Sequence, residues 1–227
     1  IRDSGGITSG GNVTLTSNKD INIKSSNIVA GDEVSLSSEN VNITDRQLKG
    51  SDYNNNSLKG GYSESSSSYS LSSGSTIYGN NIKIDSKNDL TIKGSHILAD
   101  EEINLSAGKN VNILDGHNEE STNSSSKQYN GVSYSSSKKS TESSTSKGSN
   151  IISDGKLNIK AGNDVNITGS DLIGKEGNIE AENNIMIKPG ENTYKESSES
   201  TSWGFFANAE AGIEGHKASA YASNTEG

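Results

Sequence analysis

Cysteine is absent from the 227-residue sequence, so no disulfide can staple the chain and its redox compartment is left unconstrained. Aromatic residues are scarce, at 5% with one Trp and two Phe, and apolar residues in total reach only 28%. That is lean for one compact globule of this length. No apolar run approaches the length of a membrane helix, and Ile1 does not open a signal peptide, so the sequence reads as a segment of a longer chain. A basic excess is lacking too. The net charge is −9, with Lys scattered among Asp and Glu, which argues against a nucleic-acid surface. Low apolar content and this charge lean toward disorder, but the apolar residues recur with a regularity that disorder does not require.

That regularity is an internal repeat. Stretches from Ile7 to Asp45, Ile77 to Asp115 and Ile151 to Lys188 can be laid over one another by their apolar pairs. The first carries Val13/Leu15, Ile21/Ile23, Ile28/Val29, Val34/Leu36 and Val41/Ile43. The second carries Ile82/Ile84, Leu90/Ile92, Ile97/Leu98, Ile103/Leu105 and Val111/Ile113. The third carries Leu157/Ile159, Val165/Ile167, Leu172/Ile173, Ile179/Ala181 and Ile185/Ile187. Most pairs are spaced i, i+2 with polar residues between, the period of a short strand with one face inward. Turn residues such as "SNKD", "AGDE" and "AGND" separate them. A meander of hairpins would favour Asn-Gly or Asp-Gly at its turns, whereas the order here is mostly reversed, as in Gly11-Asn12, Gly31-Asp32 and Gly162-Asn163. The spacing therefore predicts an all-β chain wound as a three-sided parallel β-helix, two coils per stretch, each of roughly twenty residues stacked on the one before.

The remaining segments differ in kind. Residues 46–76 hold 11 serines and residues 116–150 hold 13. Low complexity suggests linkers, but the pairs Tyr69/Leu71 and Val132/Tyr134 suggest local strand. In the tail, Trp203, Phe205, Ala207, Ala209, Ala211 and Ile213 alternate with Gly204, Phe206, Asn208, Glu210 and Gly212. The alternation resumes at Ala218, Ala220 and Ala222, which predicts a hairpin of two amphipathic strands. The expected organisation is coils at 1–45, 77–115 and 151–188, Ser-rich inserts at 46–76 and 116–150 that form β-hairpins projecting from the rod, and a hairpin tail at 189–227. Seven of the eight tyrosines, together with Trp203, Phe205 and Phe206, lie in the inserts or the tail. Tyr62, Tyr69, Tyr129, Val132, Tyr134, Trp203, Phe205 and Phe206 are accordingly the candidate partner or membrane contacts.

The phrases "GNVTLTSNKDINIKSSNIVAGDEVSL", "AGKNVNI" and "AGNDVNITGSDLI" resemble the haemagglutinin repeats of filamentous-haemagglutinin-type exoproteins, which include adhesins and contact-dependent growth-inhibition toxin carriers. Alternation of such phrases with Ser-rich inserts, ending in "SWGFFANAEAGIEGHKASAYAS", is similar to the second haemagglutinin-repeat region of those proteins, and the resemblance covers essentially the whole chain. It implies a right-handed parallel β-helix and two-partner secretion through a dedicated outer-membrane transporter acting on a much longer polypeptide. It also implies a place on the bacterial cell surface, exterior to the outer membrane, and a target-cell receptor or outer membrane as partner.

Three functions are compatible with these readings. The chain is a rod segment that mediates cell contact, or an outer-membrane-engaging translocation element for a toxin, or a surface polysaccharide lyase or hydrolase. The last would need clustered carboxylates in one groove, whereas Asp20, Asp32, Glu33, Asp89 and Asp164 fall in turns. No nucleophile elbow, phosphate loop or zinc-helix motif occurs. His96 takes the place that Asn27 and Asp171 fill in other copies, and His117 precedes Asn118-Glu119-Glu120 without a second ligand pattern. The Gly-x-Asp turns do not match the calcium-binding nonapeptide. Asn12, Asn42, Asn104 and Asn166 stand in N-x-S/T sequences but at or beside strands. The expectation is a non-enzyme with no catalytic residue, no metal, no cofactor, no nucleic acid and no small-molecule substrate.

Overall fold

The computed structural model describes residues 5–212 and 215–226, with side chains as far as Phe205 apart from Leu58. No helix occurs among the described residues, which form 22 strands. The first stretch holds β1 (Gly6–Ser9), β2 (Val13–Thr16), β3 (Asp20–Lys24), β4 (Asn27–Ala30), β5 (Glu33–Ser38) and β6 (Asn40–Thr44). Then follow β7 (Arg46–Leu58) and β8 (Gly61–Ser73). The second stretch holds β9 (Thr76–Ser86), β10 (Leu90–Lys93), β11 (His96–Ala107) and β12 (Val111–Leu114), succeeded by β13 (Gly116–Tyr129) and β14 (Ser133–Lys147). The third holds β15 (Asn150–Ser153), β16 (Lys156–Ala161), β17 (Val165–Thr168), β18 (Asp171–Ile173), β19 (Glu176–Ala181) and β20 (Ile185–Lys188). The last strands are β21 (Thr193–Gly212) and β22 (Gly215–Glu226).

Two compact units result. The first comprises residues 1–48, 70–118 and 145–192; the second comprises 49–69, 119–144 and 193–227. In the first unit the pairing among β1–β6, β9–β12 and β15–β20 is parallel and runs in three ladders. One is β1–β4–β9–β11–β15–β18; a second is β2–β5–β9–β11–β16–β19, the long strands β9 and β11 serving both; the third is β3–β6–β10–β12–β17–β20. Each successive triplet of strand segments therefore contributes once to every ladder.

Period-two alternation turns these ladders into columns of like side chains. In the third ladder Ile21, Val41, Leu90, Val111, Val165 and Ile185 lie in register, as do Ile23, Ile43, Ile92, Ile113, Ile167 and Ile187. From Val34 through Ile159 nearly every such residue has 0–1% exposure. Burial of this kind contributes about 1.5–3 kcal/mol for each aliphatic side chain, so the core is a set of columns whose stability is shared between adjacent triplets. Where the sequence places two apolar residues side by side, only the first points inward: Ile28, Ile97 and Ile151 are buried while Val29, Leu98 and Ile152 are half-exposed.

One pair in the third stretch is displaced from its expected slot. Ile179/Ala181 aligns by sequence with Ile103/Leu105, but the register pairs Leu157 with Gly177, Ile159 with Ile179 and Ala161 with Ala181. The column Val13–Val34–Ile82–Ile103–Leu157 thus ends in glycine, and Ala181 continues the column of Ser38, Ser86, Ala107 and Ala161 instead.

Two corners of each triplet are polar ladders. Between the third and first ladders, the backbone N–H of Ser75 donates to Ser95 Oγ at 3.0 Å, that of Ser95 to Ser149 Oγ at 3.2 Å and that of Ser149 to Ser170 Oγ at 3.1 Å. Ser75, Ser95 and Ser149 are completely buried, and these bonds satisfy amides that the turn takes out of the strand ladder. Between the second and third ladders stand Asp20, Asn40, Asp89, Asn110, Asp164 and Asn184, each linked to the next by hydrogen bonds.

Glycine is required in the same turns that carry the Asp and Asn column. A Cβ on Gly162 would overlap the Gly108 carbonyl, and one on Gly108 the Lys87 carbonyl, so these backbones approach more closely than any side chain allows.

Candidate contact surface

The second unit is built from one sheet of six strands in the order β22–β21–β14–β13–β8–β7. Pairing of β14 with β21 and of β21 with β22 is antiparallel. Strands β7 and β8 are sheet neighbours joined by Lys59-Gly60, with Gly60 at φ +80°, a connection short enough only for a hairpin. Strands β13 and β14 are joined through Asn130-Gly131-Val132. Asn130 Oδ1 accepts from the N–H of Ser133 at 2.9 Å and from its hydroxyl at 2.9 Å, while Gly131 supplies φ +90°. The Ser- and Asn-rich composition thus folds because the backbone ladder satisfies the polar main chain and the turns satisfy themselves.

Alternation along these strands divides the candidate residues between two faces. Tyr134 and Trp203 are cross-strand partners in the β14–β21 register, with stacked rings 6.1 Å apart at 25°. Tyr129 packs on the same indole at 6.4 Å and 57°. Lys127, two residues before Tyr129, places its ammonium 5.9 Å from the Tyr62 ring centroid, a cation–π contact on that face. Trp203, Phe205 and Tyr129 remain about half-exposed, whereas Tyr62 and Tyr134 are less so. Aromatic rings with open faces beside polar neighbours are the side chains best suited to anchor a partner at low entropic cost.

The other candidates are placed differently. Tyr69 lies an odd number of residues from Tyr62 on β8, hence on the opposite face, where its ring covers Gly50 of the neighbouring strand so closely that a Cβ there would overlap it. Val132 is exposed but sits in the β13–β14 turn rather than in a strand, so Val132 and Tyr134 do not form the strand pair their spacing suggests. The side chain of Phe206 lies outside the described residues, as do those of the alternating Ala positions that follow it. Tyr53, on β7, escaped the sequence reading because no apolar partner stands two residues away; it is 67% exposed.

Lys139 and Glu196 form an ion pair across two strands of this sheet. Lys139 Nζ lies 2.8 Å from Glu196 Oε1, and Tyr194 donates its hydroxyl to Glu196 Oε2 at 2.5 Å. Those two hydrogen bonds, Lys139 first, hold the Glu196 carboxyl below the usual carboxylate range, while the same contact raises Lys139.

In the first unit, His96 stands in the ladder column of Asn27, Thr76, Asn150 and Asp171. His117 Nε2 lies 3.7 Å from Asp115, whose carboxylate also accepts from Ser146 Oγ at 2.5 Å. No group of three or more His, Cys, Asp or Glu among the described residues is arranged to hold a metal ion. Asn42, Asn104 and Asn166 all lie in ladder strands, Asn42 bonded to Asn22, Asn104 to Asn158 and Asn166 to Asn112.

A family model described as hemagglutinin repeat matches the chain in three overlapping segments, residues 2–62, 56–134 and 130–227. No curated protein and no solved structure matches the chain.

Proposed function

The chain belongs to the hemagglutinin-repeat family, and from that membership and the exposed aromatic face we propose that it is a non-enzymatic rod segment of a secreted bacterial surface exoprotein that mediates cell contact. Three parallel ladders, each taking one strand from every triplet, support reading the first unit as a right-handed parallel β-helix, since parallel crossovers are right-handed almost without exception. Export by a two-partner route through an outer-membrane transporter, display outside the outer membrane, and parentage in an adhesin or a contact-dependent toxin carrier belong to the same proposal.

The observation that carries the contact reading is the gathering of Tyr129, Tyr134 and Trp203, from three strands, on one open face. A second reading, insertion into a target outer membrane as a translocation element, draws on the same rings, because long strands with aromatics at one level resemble a membrane girdle. The side chains of β13 and β14 count against it: Ser, Thr, Lys and Glu occupy both faces, and a bilayer-facing side would need to be apolar.

The test is binding of the purified chain to intact Gram-negative-type cells and outer-membrane vesicles, with Tyr134→Ser/Trp203→Ser beside it. Contact predicts at least tenfold weaker binding by the variant without dye release from vesicles. Equal binding by both proteins would reject this face as the contact surface, and dye release by the unaltered chain would favour insertion.

A further inference from the structure

We propose that the sheet face bearing Tyr53 holds a binding site for a neutral oligosaccharide, in a groove separate from the aromatic cluster around Trp203. The groove is open, has a volume of about 380 Å³, and is lined chiefly by Tyr53, Glu64, Ser66, Asn123, Lys138 and Glu199. That volume lies within the span of sites that take small ligands. None of the aromatic-cluster residues lines it.

Its groups are held ready rather than satisfied. Tyr53 presents a 67% exposed ring, and the Asn55 amide reaches both the Tyr53 hydroxyl at 3.4 Å and Glu64 Oε1 at 3.5 Å. The phenolic oxygen accepts there, which leaves its proton for a ligand. Asn123 Oδ1 accepts from Ser140 Oγ at 2.7 Å, which fixes the amide plane and leaves both Nδ2 donors for whatever enters. Lys138 stands opposite Glu199 in the β14–β21 register, while its neighbour Lys139 is engaged by Glu196.

Donors and acceptors thus alternate across the groove beside one aromatic plate. A sugar ring matches this arrangement, since its hydroxyls both donate and accept and its C–H face lies flat on an aromatic ring. A polyanion would meet the Glu64 and Glu199 carboxylates at close range, and a lipid chain or apolar peptide would strip water from carboxylates and an ammonium without replacing their hydrogen bonds. Waters can complete the contacts that hydroxyls do not reach. This inference rests on the contact reading in part, for it names one chemistry a neighbouring surface would offer.

The experiment uses the 227-residue chain and saturation-transfer NMR with isothermal titration against cellohexaose, maltohexaose and chitohexaose (N-acetylated), with dextran sulfate as the anionic probe. At least one neutral hexasaccharide is expected to bind. Tyr53→Ala and Asn123→Leu should each weaken that binding about tenfold, with unchanged melting; Tyr53→Phe, which keeps the ring and loses the hydroxyl, should weaken it less than Tyr53→Ala, while Trp203→Ser retains it. Absence of transfer to every neutral sugar, binding of dextran sulfate alone, or equal affinity in Tyr53→Ala would overturn the proposal. Cell binding lost in Tyr134→Ser/Trp203→Ser by a chain that binds none of the neutral sugars would reject the glycan site while leaving the contact reading standing.

Discussion

Asn110 donates its side-chain amide to Asp89 Oδ1 at 2.8 Å, and its own Oδ1 accepts from the Asp164 backbone N–H at 3.3 Å. The pattern continues through the corner column, where Asp and Asn alternate from Asp20 to Asn184. No two carboxylates in it are consecutive, and an amide bridges each to the next. This alternation gives a physical reason for a repeat of two triplets, since one triplet supplies the acid and the next the amide.

Asn110→Asp should therefore place three carboxylates in consecutive positions. We expect a loss of about 1–3 kcal/mol, read as a lower melting temperature at neutral pH, and a smaller loss in high salt because the corner is partly exposed. Asn110→Ser, which adds no charge, should cost less. Equal melting of the two variants would show that the alternation carries no electrostatic weight.

Val111→Asp and Asn112→Asp separate the two sides of one strand. Val111 is completely buried between Leu90 and Val165, so an unpaired carboxylate there should cost several kcal/mol and unfold the first unit. Asn112 Oδ1 accepts from Asn166 Nδ2 at 3.0 Å, a role a carboxylate also fills, so that variant should stay within about 1 kcal/mol. Similar melts for both would reverse the inward and outward assignment.

The inner columns were legible in the sequence because i, i+2 apolar pairs have one physical meaning in a strand, and the reversed turn order spoke for parallel pairing. Ser75, Ser95 and Ser149 were not legible. Their hydroxyls are buried partners of backbone amides, but by residue type they merge with the exposed serines of the inserts. The shift at Gly177 escaped because Ile179/Ala181 has the correct spacing and only the register reveals which slot it fills. On the candidate surface, Tyr134 and Trp203 could be nominated but not joined, since their pairing depends on which strands are neighbours. Tyr69 and Tyr62 look alike in sequence and differ only in the face that alternation gives them.

Glycine tests the register directly. Gly162→Ala should destabilise by about 1–3 kcal/mol because its Cβ would strike the Gly108 carbonyl, whereas the space around Gly177 is open. Gly177→Val extends the Val–Ile–Leu column and should stabilise by about 0.5–1 kcal/mol. Thermal melts of the two variants should move in opposite directions; a destabilising Gly177→Val would place that residue outside the column.

Burial, and secondarily the Lys147 ammonium, lowers His96 below its ordinary value of 6.5. The folded state therefore favours the neutral ring, and the unfolded chain takes up the proton first. Stability should be unaffected by this group above about pH 7.5 and should fall as pH drops through the unfolded value toward the lower folded one. His96→Asn, matching Asn27 and Asn150 in its column, should remove that component. The melting difference between variant and parent should grow in the variant's favour from pH 7.5 to 5.5, and a pH-independent difference would assign the loss elsewhere.

The division of labour between the two units is open to one paired measurement. Residues 119–144, which belong wholly to the antiparallel unit, are replaced by a short Gly/Ser link, and both the melting temperature and binding to target cells or outer-membrane vesicles are recorded on the same protein. Columns from Ile7 through Leu172 draw nothing from that segment, and loop closure changes by only about 0.6 kcal/mol per doubling of length. The predicted result is a parallel-strand unit that melts within a few degrees of the parent and binding reduced at least tenfold. A protein that fails to fold would make the Ser-rich strands part of the core, and one that folds and still binds would move contact to the faces of the parallel ladders.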